Sequence, residues 1–123
     1  MAALAEALYV SGRHDDSAAR AREALAAGAA SEPVRIRARN TLGKVALAAE
    51  DWPTATQRFE ENRQHAEALG LSPEVCRAEI NLGVMAFRRG QYDEAESHLG
   101  RALSLAEQAG DLRGAREAYA AAA

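Results

Sequence analysis

Prolines stand at positions 33, 53 and 73. Proline is favoured in the first turn of a helix, where its missing N–H costs nothing, so a spacing of twenty marks three regularly placed helix starts. Glycines at 12, 28, 70, 90 and 110 fall where such helices end, and Asp51 and Ser72 stand as N-caps ahead of two of the starts. Two helices make one forty-residue unit. Laying residues 37–70 over 77–110 gives nine identities, among them Leu42/Leu82, Gly43/Gly83, Ala55/Ala95 and Gly70/Gly110, with Trp52/Tyr92 and Phe59/Leu99 as matched bulky positions. The N-terminal segment joins at an offset of 38, aligning Leu4 with Leu42, Ala5 with Gly43, His14 with Trp52 and Ser17 with Ala55, as the most degenerate copy. Internal repetition at this period is the mark of an array of hairpins. The pattern predicts seven helices, over 2–11, 14–27, 33–49, 52–69, 73–89, 92–109 and 111–122, with connections short enough to set neighbours antiparallel.

Composition agrees with helices. Of 123 residues 31 are Ala, the strongest helix former and a weak strand former, which argues against a β-sandwich or barrel. Only 28 larger apolar or aromatic side chains remain, so the core is expected to be thin. Within each unit a small residue on the first helix (Ala5, Gly43, Gly83) is followed twelve residues later by one on the second (Ser17, Ala55, Ala95), which lets two backbones approach closely. Trp52 or Tyr92 is then expected to seal the hairpin end, and Phe59 or Leu99 to fill the layer toward the following unit. Each hairpin is incomplete alone, and stacking buries the faces that one hairpin leaves exposed.

Leu82-Gly83, Gly90, Tyr92, Ala95 and Ala102, with Leu42-Gly43, Trp52, Ala55 and Phe59, resemble the tetratricopeptide repeat over nearly the whole chain. The copy at 77–110 is the best match. The one before it has Glu50 at the turn glycine and Asn62 at the last small position, and the first substitutes His14, Ser17 and Ala21. The period exceeds the ~34 residues of the standard repeat and resembles a long-helix variety found in bacterial transcriptional regulators, signalling kinases and peptide-sensing regulators. The resemblance implies an all-α, right-handed solenoid of about three and a half repeats in one domain, 1–123, divided near 1–32, 33–72, 73–110 and a partial 111–123. Because the array is cut at both ends without a polar capping helix, the chain is expected to be a fragment of a longer protein.

The usual marks of chemistry are absent from the sequence. His14, His65 and His98 stand in three different second helices without metal-ligand spacing, and surface positions are expected for them. Cys76 is the only cysteine, expected as a buried thiol. No phosphate-binding glycine loop or nucleophile–base pattern occurs, and the adjacent acids Asp15-Asp16, Glu60-Glu61 and Asp93-Glu94 fit helix starts and solvated faces. No cofactor, metal or catalytic residue is therefore assigned. A net charge of −3 argues against direct nucleic-acid binding. No stretch reads as a membrane span or secretory signal, so the expectation is a cytoplasmic protein.

Charge separates by helix. Residues 33–49 carry Arg35, Arg37, Arg39 and Lys44 with no acid, and 73–89 total +1, whereas the second helices 14–27, 52–69 and 92–109 total −1, −1 and −3. In tetratricopeptide arrays the first helices line a concave groove, so the resemblance implies a basic groove that attracts acidic peptides. Its candidate residues are Arg37, Asn40, Thr41, Lys44 and Leu47, then Arg77, Asn81, Val84, Phe87 and Arg88, extended by Glu6 and Tyr9. Arg37, Lys44, Arg77 and Arg88 would meet carboxylates, Asn40 and Asn81 a peptide backbone, and Phe87 an apolar side chain. The competing account makes these solvated face residues. The function expected is a non-catalytic protein-interaction module within a bacterial regulatory or signalling protein. Alternatives are a peptide-sensing domain of a transcriptional regulator or kinase, and a scaffold that self-associates through the array ends.

Overall fold

The computed structural model describes residues 14–28, 31–110 and 112–122, and these form six α-helices with no strand among them. They are α1 (His14–Ala26), α2 (Glu32–Ala48), α3 (Trp52–Ala68), α4 (Ser72–Arg88), α5 (Tyr92–Ala109) and α6 (Leu112–Ala122). All fall within about two residues of the expected helices. The helix expected over 2–11, with Glu6 and Tyr9, lies outside the described residues.

Local chemistry accounts for the punctuation. Pro33, Pro53 and Pro73 are each the second residue of a helix, as the twenty-residue spacing predicts. The helices end at equally regular points: Glu50, Gly70, Gly90 and Gly110 have φ of 60°, 69°, 76° and 67°, the left-handed conformation that turns the chain out of a helix. At three of them the following N–H reaches back five residues, Asp51 to the Ala46 carbonyl (2.9 Å), Leu71 to that of Ala66 (2.9 Å) and Gln91 to that of Ala86 (2.8 Å). Asp51 caps α3, its Oδ1 accepting from the Thr54 N–H at 3.4 Å. Ser72 does not cap α4. The turn at Gly70 runs straight into the next helix, so Leu71 holds the cap position, its carbonyl accepting from the N–H groups of Glu74 and Val75 (3.0 Å each), and Ser72 is already helical.

The chain divides into two compact units, Met1–Arg58 and Phe59–Ala123, with the division inside α3. In the first, α1 packs on α2. Their shared cluster is alanine-rich, Ala18, Ala21, Ala24 and Ala38 with Leu42, edged by Leu25, Val34 and Val45, and α2 also buries Ile36 and Leu47. In the second, α4 packs on α5 and both contact α6, around Cys76, Ala102, Ala106 and Ala118, with Ile80, Leu103 and Ala115 at the margin. Cys76 is buried, and its thiol donates to the Ala102 carbonyl at 3.3 Å.

The close approach expected at Gly83 is present. A Cβ there would stand 2.8 Å from Cγ and 2.9 Å from Cδ2 of Leu99, with the Ala95 carbonyl oxygen at 3.4 Å. Leu99 thus closes on Gly83 of its own hairpin, in addition to any role toward a following unit. Tyr92 does not seal the hairpin end. It meets Phe87 edge-on, with ring centroids 5.4 Å apart, and both rings remain more than half exposed.

Candidate binding faces

Four of the seven candidate residues stand on α4 in the second unit. Arg77, Asn81 and Arg88, three to four residues apart or a multiple of that, fall in one stripe of the helix, with Phe87 beside it. Phe87 is 61% exposed and Arg88 is exposed. Arg77 is half-buried, its Nη1 3.7 Å from Oε2 of Glu74. Asn81 is buried, with 8% exposure. The other three stand on α2 in the first unit, where Arg37 is exposed, Lys44 half-buried and Asn40 buried at 7% exposure. Thr41 and Leu47 are also buried, and the Thr41 hydroxyl donates to the Arg37 carbonyl at 3.2 Å. The cations and Phe87 therefore offer surface, while the two asparagines sit largely within the protein.

A second constellation escaped the sequence reading. Glu79 of α4 is 3% exposed, yet it is ionisable and lies in the apolar stripe formed by Val75, Leu82 and Ala86. Burying a carboxylate costs several kcal/mol unless it is paired, and cations surround it. His98 Nδ1 lies 2.7 Å from Oε2, Arg101 Nε 3.5 Å from the same oxygen, and Arg63 Nε 3.8 Å from Oε1. Arg63 is itself held by Glu60 at 2.7 Å and Glu67 at 3.0 Å. The hydrogen bond to Glu60, with Glu67 adding to it, raises the Arg63 pKa above its already high ordinary value, against the opposing effect of burial. His98 is thus drawn into the protein by Glu79, which corrects the expectation that it is a surface histidine; His65 is exposed. Forty residues earlier, Arg39 occupies the equivalent position and is also buried (7%), its Nη1 3.7 Å from Oε2 of Glu32.

Beside Glu79 the surface opens into a cleft of about 440 Å³ between the C-terminal turn of α3, the start of α4 and the later half of α5. Val75 and Glu79 line it from α4, Glu67 from α3, and Arg101, Leu105 and Gln108 from α5. Among the described residues no three His, Cys, Asp or Glu side chains gather as a metal-binding group, and no helix is long and apolar enough to cross a membrane.

Comparison with known proteins gives one family. The family model described as tetratricopeptide repeat matches residues 34–108, which takes in α2 from its third residue, all of α3 and α4, and α5 to its penultimate residue. No curated protein and no solved structure matches the chain. Tetratricopeptide repeats generally mediate protein–protein interaction and are typically non-catalytic. With the match spanning more than half of the sequence, and with paired helices, regular left-handed helix ends and a glycine–leucine contact at the repeat positions, the chain belongs to the tetratricopeptide-repeat family.

Proposed function

We propose that the protein binds acidic segments of another protein on first-helix faces, α2 and α4 each offering one within its own unit, as a non-catalytic module of a cytoplasmic bacterial regulatory protein. The observation that carries this reading is the surface of α4. There Phe87, 61% exposed, directly precedes exposed Arg88 in the chain, and half-buried Arg77 stands three turns earlier in the helix. An exposed aromatic beside cations suits a partner that offers an apolar side chain among carboxylates, where the charges steer encounter and the ring anchors. Arg37 and Lys44 supply the same chemistry on α2. Asn40 and Asn81, being buried, serve the reading better as supports for these faces than as contacts.

The test is a pull-down from source-cell lysate with wild-type protein beside a Lys44→Glu/Arg77→Glu double variant. Partners captured by the wild type and lost by the variant are expected. Equal capture by both would remove the first-helix faces from the function. A sensor role, in which a bound peptide changes the state of an attached output domain, becomes the better description only if that partner is a short free peptide.

A further inference from the structure

The cleft beside Glu79 is a different surface from the first-helix faces, lying where α3 and α5 flank the start of α4. Three features define what it can hold. Its floor is partly apolar, from Val75 at 6% exposure and half-buried Leu105. Its charged lining has more carboxylates than arginines: Glu67 and Glu79 stand with Arg101, and behind them Arg63 is shared among Glu60, Glu67 and Glu79. Finally, the exposed cation of the lining is held by His98, Arg101 Nη2 lying 2.9 Å from His98 Nδ1, and only distantly by Glu79. Arg101 has its side chain 57% exposed and reaches Oε2 of Glu79 only at 3.5 Å, beyond good hydrogen-bond length, whereas His98 binds that oxygen at 2.7 Å.

We propose that this cleft is a second docking site, which takes an arginine side chain from a protein partner. The aliphatic stem of the arginine lies along Val75 and Leu105, and its guanidinium meets Glu67 and the amide oxygen of Gln108 at the rim and displaces Arg101 from Glu79. An anionic group meets the carboxylates of Glu67 and Glu79, and a purely apolar side chain would strip water from them without replacing it. Arginine answers both demands, with a planar fork of five donors on a stem that packs against apolar surface. The equivalent position in the preceding repeat is the buried cation Arg39, so the buried acid is a property of this repeat and not of the fold.

The test is an ¹⁵N NMR titration of the full chain with the blocked tripeptide acetyl-Leu-Arg-Leu-amide. The control is the same peptide with citrulline, which keeps the shape of arginine and lacks its charge. Peptide is added to roughly 10 mM, above the millimolar Kd of a single-anchor ligand. Saturating shifts confined to amides of 66–79 and 101–108, weakened about tenfold with citrulline and about tenfold by Glu67→Gln, are expected. Glu67 is an exposed side chain, so that variant keeps the fold, and a Leu105→Arg variant with unchanged helical circular dichroism should bind nothing because its own cation fills the cleft. Shifts of equal size with citrulline, or none at the highest concentration, would overturn the proposal. So would concentration-dependent shifts at these amides without peptide, which would give the cleft to a second copy of the chain. None of these outcomes bears on Lys44 and Arg77, so the first-helix reading stands or falls separately.

Discussion

At the residue scale, two positions decide whether a hairpin closes and a helix ends. Gly83 has no room for a Cβ because Leu99 already fills that space at 2.8 Å. Gly83→Leu is therefore expected to destabilise the protein by about 2–4 kcal/mol through overpacking, read as a lowered denaturation midpoint. An unchanged melting temperature would refute the packing. Glu50 shows the opposite situation. It holds φ at 60°, the place taken by glycine at 70, 90 and 110, and a residue with a Cβ is strained there by roughly 1 kcal/mol or more. Glu50→Gly should stabilise the chain by about 1 kcal/mol in chemical denaturation; a loss of stability would mean that the Glu50 side chain contributes more than its backbone costs. Both positions are legible in the sequence, because glycine's two uses, close approach and positive φ, recur at fixed places in the repeat.

At the scale of the element, α4 carries two faces of different character. One bears Arg77 and Arg88, and the other brings Glu79 against α3 and α5. Glu79 falls four residues after Val75 and three before Leu82, so the helical period alone puts it in the buried stripe. The sequence thus held a signal for a buried charge. Its partners were not legible, since Arg63 and His98 are sixteen and nineteen residues away on other helices, and only packing brings them together. His98→Leu leaves a carboxylate with 4% side-chain exposure short of its nearest donor and is expected to cost about 3 kcal/mol. The Glu79→Leu/His98→Leu double variant removes both groups and should cost at least about 1 kcal/mol less than the sum of the two single changes. Strict additivity in that cycle would show that the pair is not coupled.

At the scale of the whole molecule, the two units differ in what they bury. The buried residues of α1 are Ser17, Ala18, Ala21 and Ala24, while α5 buries Leu99 with Ala95, Ala102 and Ala106 and is packed by both α4 and α6. Less apolar area per residue gives a lower opening free energy. Native-state hydrogen exchange is expected to release the α1 amides well before those of α5, and equal protection would contradict the claim that alanine makes a weak core here. The sequence by itself determined the helices, their ends and the family, because proline, glycine and alanine act through the backbone of their own segment and need no distant partner. It also marked which residues of the first helices carry charge. Only the tertiary structure decided which of those side chains reach solvent and which are enclosed. It left Phe87 and Tyr92 exposed, enclosed Asn40 and Asn81, and gathered Arg63, His98 and Arg101 around Glu79 beside an open cleft. Burial and ion pairing depend on neighbours far away in the chain, and those neighbours are supplied by packing.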